Sequence, residues 1–236
     1  MAVYRLSAEP VFPDPELAEP DGLLAMGGDL STLRLLNAYR RGIFPWYGEG
    51  DPILWWSPDP RLVLDPRSIS ISKSLARTLK KNALRITLDT AFEEVITCCA
   101  SSLRRGRPGT WIVPQMRAAY LQLHRAGCAH SVEAWQDGCL AGGLYGVSLG
   151  RAFFGESMFA RQPDASKVCL AWLAALLRAW EFDFIDCQVT TPHLLRMGAV
   201  EIERTVFLAR LRHALQAPDR TGPWRLPPDI SPLMQD

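Results

Sequence analysis

The sequence lacks a long apolar run. The longest, Val168 to Leu177, has ten residues and ends at Arg178, which is too short to cross a bilayer. Residues 1–10 contain no apolar core of the length that a signal peptide needs. A cytoplasmic protein without a cleaved leader is therefore expected.

Disulfide and metal-binding patterns are also missing. The six cysteines form no CxxC pair and mostly lie within apolar stretches, as reduced core cysteines do. The four histidines do not cluster with them. The sequence predicts neither a disulfide framework nor a metal site.

Net charge is small, at +1, but the charges are unevenly placed. Residues 1–60 carry nine acids and four bases, whereas residues 61–130 carry twelve bases and four acids. Four of these bases share one face of a helix predicted over residues 72–82, with Arg61 nearby: Lys73, Arg77, Lys80 and Lys81. A solvated helical face is the ordinary explanation, and the alternative is a surface that contacts nucleic-acid phosphates.

Residues 43–61 hold three tryptophans and four prolines, which favours a rigid loop over a helix or a continuous strand. Flat aromatic faces on such a loop suit base stacking, which contributes about 1–3 kcal/mol per base. At least one of the paired Trp55 and Trp56 is expected to be buried at a domain junction. Trp46 is then the best stacking candidate.

Polar side chains interrupt a segment that otherwise reads as a buried strand, Glu181 to Val189. A strand period of two places Asp186 and Gln188 on one face and Cys187 on the other. A buried carboxylate needs a hydrogen-bonded partner or a ligand. Two interpretations are possible. Asp186 lies at a strand end and bonds to a neighbouring loop, or Asp186 and Gln188 belong to a reaction centre.

The remaining pattern is α+β. Strands are predicted over residues 62–64, 84–88, 131–136, 140–147, 152–159 and 182–189, with a hairpin turn at Asp137-Gly138. Helices are predicted from Asp29 or Ser31 through Tyr39, with Leu30, Leu33, Leu36 and Tyr39 on its apolar stripe, and over residues 72–82, 91–100, 116–125, 165–180, 191–197 and 205–216.

The strand, loop, helix and strand of residues 152–189 follow the order found in acetyltransferase-like (GNAT) domains. In those enzymes a glycine-rich loop at a helix N-terminus holds a pyrophosphate. Here the loop, residues 160–164, has no glycine and contains Pro163, so coenzyme A binding loses its main support.

Six strings in order along the chain carry a more specific resemblance: Ile-Phe-Pro-Trp (43–46), Trp-Trp-Ser-Pro-Asp-Pro-Arg (55–61), Gly-Thr-Trp-Ile (109–112), Gly-Glu-Ser-Met-Phe (155–159), Ala-Ser-Lys (165–167) and Ile-Asp-Cys-Gln (185–188). With them the chain resembles the leucyl/phenylalanyl-tRNA–protein transferase family over nearly its whole length. The resemblance implies a small N-terminal α/β domain, residues 1–61, and a GNAT-like catalytic domain with a mixed sheet flanked by helices, residues 62–236.

The resemblance also implies a reaction. Leu or Phe, and less readily Met, passes from aminoacyl-tRNA to the α-amino group of a protein that begins with Arg or Lys, which marks that protein for degradation. No metal or other cofactor is expected, and the protein is expected to be a monomer.

The candidate residues fit that chemistry. An α-amino group with a pKa near 8 is roughly a tenth deprotonated at pH 7 and needs modest general-base help. Asp186 is expected to take its proton, directly or through a partner, while Gln188 bonds to the ester or the ribose and Glu156 holds the acceptor's N-terminus. Trp46 and Trp111 are the candidates for stacking on the terminal adenosine.

A leucine-sized apolar pocket is also required. Its candidates are Leu144, Phe153, Met158, Leu170, Leu173, Leu177 and Ile185, although each is equally suited to the core. Two other functions remain open: acyl transfer from acetyl-coenzyme A, and tRNA binding without catalysis.

Overall fold

The computed structural model describes residues 3–101 and 112–233. The first part of the chain forms a four-stranded sheet of order β1-β2-β4-β3, in which β1 and β2 are parallel and the other pairs antiparallel. Its strands are β1 (Tyr4–Leu6), β2 (Leu23–Gly27), β3 (Phe44–Pro45) and β4 (Leu54–Trp56). Helix α1 (Thr32–Arg40) lies between β2 and β3, and a short 3-10 helix spans Pro15–Leu17.

The second sheet has seven strands in the order β11-β5-β10-β9-β8-β7-β6. They are β5 (Arg61–Leu64), β6 (Arg85–Leu88), β7 (Ala129–Gln136), β8 (Cys139–Leu149), β9 (Ala152–Ala160), β10 (Phe184–Gln188) and β11 (Val200–Ile202). The β9–β10 pair is parallel and every other pair is antiparallel. The sheet is therefore mixed.

The described part of the chain contains seven α-helices. After α1 come α2 (Lys73–Lys81), α3 (Phe92–Ser101), α4 (Pro114–Arg125), α5 (Ala165–Ala179), α6 (Pro192–Arg196) and α7 (Arg204–Ala214). None of the helices in residues 3–101 and 112–233 is long and apolar enough for a membrane span.

Local sequence signals account for both ends of α2 and for one turn. Ser72 caps α2 by accepting a hydrogen bond from the Leu75 N–H, and Asn82 ends it in the left-handed region. Asp137 and Gly138 both have positive φ, as a two-residue hairpin turn requires. The predicted hairpin is thus confirmed.

Two hydrophobic cores lie on opposite faces of the seven-stranded sheet. One contains residues of α5 and the buried Leu75 of α2. The other contains residues of α3, α4 and α7 and continues into the smaller sheet, so that Phe12 and Trp55 belong to the same core as Phe154. Helices therefore cover both faces.

Most predicted elements of the larger sheet are confirmed, with ends that differ by at most two residues. The short strands β1 to β4 and β11 were not predicted, because segments of two to five residues are too short to show a period. The stripe predicted for α1 is wrong in part. Leu33 is 60% exposed, whereas the Arg34 side chain is buried and bonds to the Ser7 and Ala8 carbonyls.

The two parallel strands at the centre of the sheet separate after a short contact. Their pairing runs from Ala152 opposite Phe184 to Phe154 opposite Asp186 and then stops. Beyond Phe154, β9 continues to Ala160 against β8 alone. This opening between β9 and β10 positions the site described below.

Candidate active site

A cavity of about 400 Å³ lies where β9 and β10 separate. Its wall is mainly apolar, and it contains six of the seven residues predicted for an aminoacyl pocket: Leu144, Phe153, Met158, Leu170, Leu173 and Ile185. The seventh, Leu177, is fully buried in the core one helical turn beyond Leu173 and is not part of this wall. The prediction for Leu177 is therefore wrong.

Two β-bulges shape the polar end of the cavity. On β9, Gly155 and Ser157 pair with consecutive residues of β8, which leaves Glu156 as an extra residue. On β10, Asp186 and Gln188 pair with consecutive residues of β5, which leaves Cys187 as an extra residue. Bulges redirect side chains next to binding sites. Glu156 and Gln188 follow the register of the parallel pair and bond to each other across the opening.

The Glu156 carboxylate is held by three donors. Its Oε1 accepts from the Tyr39 hydroxyl at 2.8 Å and from Gln188 Nε2 at 2.8 Å, and its Oε2 accepts from the Tyr120 hydroxyl at 2.7 Å. The two tyrosine hydroxyls also contact each other. Because Tyr39 comes from α1 and Tyr120 from α4, this network ties the smaller sheet's helix to the cavity.

Burial raises the pKa of Glu156 to about 7, and the nearby Asp186 carboxylate raises it as well. The hydrogen bonds from Tyr120, Tyr39 and Gln188 act in the opposite direction, since they favour the charged form. Glu156 is 7% exposed and lines the cavity. The cavity thus ends in a carboxyl group that changes charge near neutral pH.

Asp186 occupies a different position from the one predicted. Its two oxygens accept from Arg61 Nε at 2.9 Å and Arg61 Nη2 at 2.7 Å, and Oδ1 also accepts from the Gln188 N–H at 2.9 Å. The Arg61 guanidinium in turn packs over the rings of Phe44 and Phe207. Asp186 is fully buried and is not part of the cavity wall.

Two expectations change as a result. Arg61 is an ion-pair partner inside the protein, with 1% exposure, and does not belong to a phosphate-contacting surface. Asp186 acts on the cavity through the backbone of Gln188, so a direct contact with substrate does not fit this geometry. Cys187, predicted on the opposite face, lines the cavity because the bulge interrupts the period of two.

Trp46 is half-buried and lines the cavity beside Phe44 and Pro45. Its ring lies 5.7 Å from that of Trp56, whose Nε1 donates to the Trp46 carbonyl at 2.6 Å. Trp55 is fully buried, which confirms that one of the paired tryptophans belongs to the core. Trp111, the other residue predicted to stack on adenosine, lies outside the described residues.

The predicted basic face is exposed. Lys73, Arg77, Lys80 and Lys81 are all exposed on α2, and within the described residues none of them forms an ion pair with a carboxylate. Helix α2 packs against α5, the helix that supplies Leu170 and Leu173 to the cavity wall. The four cations therefore lie on the same side of the sheet as α5.

Sequence reasoning missed the two tyrosines that hold Glu156. Tyr39 was placed on an apolar stripe, and Tyr120 lies in a helix where it resembles any buried aromatic residue. The available signal was that a buried tyrosine hydroxyl requires a partner. Residues 3–101 and 112–233 contain no cluster of three or more His, Cys, Asp or Glu that could hold a metal ion.

Comparison with known proteins gives consistent matches. A family model described as leucyl/phenylalanyl-tRNA protein transferase matches residues 63–212, and the model of that protein's N-terminal domain matches residues 28–59. A relative from Anaeromyxobacter sp. (strain Fw109-5) is 62% identical over 226 residues, which cover 96% of each chain. One from Nitratidesulfovibrio vulgaris (strain DP4) is 60% identical over 98% of this chain and 100% of its own.

Both relatives are named leucyl/phenylalanyl-tRNA–protein transferase. Among solved structures, one described as the structure of L-PGS from Bacillus licheniformis matches with a TM-score of 0.38 and 8% identity, over 66% of this chain and 50% of that one. That likeness is too distant to bear on fold or function.

Proposed function

The chain belongs to the leucyl/phenylalanyl-tRNA–protein transferase family, and from this premise we propose that it transfers Leu or Phe, and less readily Met, from aminoacyl-tRNA. The acceptor in this proposal is the α-amino group of a protein that begins with Arg or Lys. The new N-terminal residue then marks the protein for degradation.

The observation that carries the proposal is the form of the cavity. An apolar space of about 400 Å³ lies within the range of small-molecule sites, and it ends at Glu156 and Gln188. The apolar wall suits a Leu or Phe side chain, and the flexible Met158 helps one space accept both shapes. The polar end suits the ester and the attacking amine.

Transfer requires one new bond and one broken bond. The nitrogen of the free α-amine attacks the ester carbonyl carbon, the C–O bond to the terminal ribose breaks, and the amide forms. The amine gives up a proton and the ribose oxygen gains one, so no other reactant is needed. Glu156, with its pKa of about 7, is suited to accept the proton and to return it to the leaving oxygen.

Gln188 and Asp186 have supporting roles in this scheme. The Gln188 amide is oriented by Glu156 and faces the cavity, where it can bond to the ester or the ribose. Asp186 fixes the Gln188 backbone through Oδ1. Asp186 is thus a positioning residue, which keeps the indirect form of the role predicted from the sequence.

The donor is placed by contacts outside the cavity. Trp46 at the rim is proposed to stack on the terminal adenosine, together with Trp111 on sequence grounds alone. The exposed cations of α2 are proposed to contact tRNA phosphates, which position a nucleic acid without reading its sequence.

The finer structural and cellular expectations belong to the same proposal. A GNAT-like assignment for the larger sheet is supported by the parallel strands that separate around α5. The domain boundary at residues 61–62, a cytoplasmic location and a monomeric state remain predictions. Acyl transfer from acetyl-coenzyme A is less favoured, because residues 160–164 have no glycine to hold a pyrophosphate.

A transfer assay tests the proposal. The purified protein is mixed with radiolabelled Leu-tRNA and two matched polypeptides, one beginning with Arg and one with Glu. Labelling of the Arg polypeptide alone is expected. Absence of labelling with both, together with consumption of acetyl-coenzyme A on a small amine, would refute the proposal.

A further inference from the structure

Selection of an acceptor that begins with Arg or Lys needs an anion near the cavity, and the two carboxylates already described are occupied. Glu156 is 7% exposed and accepts from three donors. Asp186 is fully buried and paired with Arg61. A cationic side chain that reached either of them would displace existing partners in a desolvated environment, which is costly.

Two cations lie near His193 at the cavity rim, and one of them, Lys167, is paired with Asp164 at 2.7 Å. His193 lines the cavity, and its pKa is lowered by burial and by the nearby charges of Lys167 and Arg196. These cations suit an RNA phosphate and repel a cationic side chain. A cationic acceptor side chain is therefore expected to need a carboxylate at the rim.

Glu201 is an exposed carboxylate close to Gln188 in the sheet. In the sheet, Gln188 of β10 and Glu201 of β11 both pair with Leu62 of β5. The three residues form a row across neighbouring strands, and two strand spacings separate Gln188 from Glu201 by about 10 Å. A lysine or arginine side chain, together with the Glu201 side chain, can bridge this distance.

The Glu201 carboxylate is exposed and held at the rim. Its Oε1 accepts from the Thr190 hydroxyl at 2.5 Å. Thr190 lies between Val189 and Thr191, and both of those residues line the cavity. Within the described residues, the Thr190 bond is the one hydrogen bond to the Glu201 side chain. It uses Oε1, which leaves Oε2 open to a ligand.

We propose that Glu201 is a specificity residue that binds the cationic side chain of the acceptor's first residue. The inference rests on the proposed function, since it assumes that the acceptor amine lies at Gln188 and Glu156. Because β5 is fully buried, the side chain of the first residue then runs along the rim past Thr190 and pairs with the Glu201 carboxylate. A neutral first residue loses this charge-assisted hydrogen bond.

A rival carboxylate lies on the other side of the rim. Glu49 is exposed three residues beyond Trp46, which lines the cavity. It belongs to the loop between β3 and β4 and not to the row that contains Gln188. Comparison of variants at the two positions decides between them.

The experiment compares Glu201→Gln with wild type on two peptides that differ in their first residue, arginine or its neutral isostere citrulline. The variant keeps an oxygen for the Thr190 bond and removes the charge. We expect the ratio of kcat/KM for the arginine peptide to that for the citrulline peptide to fall about five- to tenfold, as for a partly solvated charge pair. If citrulline turnover is too slow to measure, the inhibition constant of the citrulline peptide against the arginine peptide reports the difference in binding instead.

The control is Glu203→Gln, a matched loss of charge at an exposed position just past β11, which is expected to leave the ratio unchanged. An unchanged ratio in Glu201→Gln, or a fall in Glu49→Gln instead, would overturn the assignment of Glu201. Failure of the proposed function gives a different result, because the wild type would then transfer Leu to neither peptide.

Discussion

Gln188 Nε2 donates to Glu156 Oε1 at 2.8 Å across the opening between two parallel strands. Both residues lie at β-bulges, and they keep the offset in sequence that Phe154 and Asp186 have in the parallel pairing. The bond joins an amide that lines the cavity to a carboxyl group with a pKa of about 7. It places the groups proposed for proton transfer and ester binding at one end of an apolar cavity.

Glu156 makes the stability of the fold depend on pH. Its pKa rises from an ordinary 4.5 to about 7 on folding, so the folded state binds the proton more tightly than the unfolded chain. This stability is fully present below pH 4.5 and is lost as the pH rises through 7, with a slope of at most about 1.4 kcal/mol per pH unit. Urea unfolding at pH 5 and pH 7.5 measures the difference.

The Glu156→Gln variant keeps the shape of the side chain and cannot titrate. Its free energy of unfolding is expected to change less between the two pH values than that of the wild type. Equal changes in the two proteins would mean that Glu156 does not titrate in this range.

Loss of one tyrosine hydroxyl should move the titration of Glu156 upward. In Tyr39→Phe the charged carboxylate loses a donor, and its pKa rises further because that hydrogen bond favours the charged form. Transfer at pH 6.5 is expected to fall about tenfold, since a hydrogen bond to a charged group contributes roughly 1.5–3 kcal/mol. Initial rates from pH 6 to pH 9 show the shift, and the loss should be smaller at pH 9.

Tyr47→Phe is the matched control. The Tyr47 hydroxyl is buried and makes no hydrogen bond within the described residues, so its removal should leave the pH profile unchanged. An equal shift in both variants would contradict the role given to Tyr39.

Asp186→Ala should destabilise the protein by about 3–5 kcal/mol, because it leaves Arg61 buried without its partner. The double variant Arg61→Met, Asp186→Leu replaces the ion pair with apolar side chains and should recover most of that loss. Urea unfolding measures both effects.

Activity of the double variant separates structure from positioning. We expect it to transfer Leu about a hundredfold more slowly than the wild type, because the Gln188 N–H loses the acceptor that fixes it. A folded double variant with the wild-type rate would show that Asp186 has no role beyond stability.

The cavity wall should set the preference between Leu and Phe. Leu173→Phe reduces the space and should lower transfer of Phe relative to Leu about tenfold, whereas Leu173→Ala should shift the ratio the other way. Competition between Phe-tRNA and Leu-tRNA in one reaction gives the ratio. Leu177→Met, outside the wall, is the control, and a similar effect there would contradict the assignment of the cavity.

Periodicity was sufficient for most of the larger sheet. The hairpin at Asp137-Gly138 and the helix over residues 165–179 follow from turn residues and apolar spacing. The apolar wall followed from the same reasoning, because side chains on α5 and β9 face the opening at regular intervals. Leu177 was misassigned because spacing along a helix does not show where a cavity ends.

The polar end of the site could not be derived in the same way. A period of two fails at Glu156 and Cys187, and the strand sequence itself does not show that a bulge removes one residue from the pairing. The partner of Asp186 is 125 positions away, at Arg61. Such long-range pairs depend on which strands become neighbours, and in this sheet β5 and β10 are neighbours through a crossover.

The most direct test of the account is the pH dependence of single-turnover transfer of Leu to an Arg peptide, in wild type and Glu156→Gln. Below pH 7, a plot of log kcat/KM against pH is expected to have a slope approaching two for the wild type. The reason is that Glu156 and the acceptor amine must each lose a proton. The variant should react about a hundredfold more slowly at pH 8, with a slope of one. A slope of one in both proteins would contradict proton acceptance by Glu156.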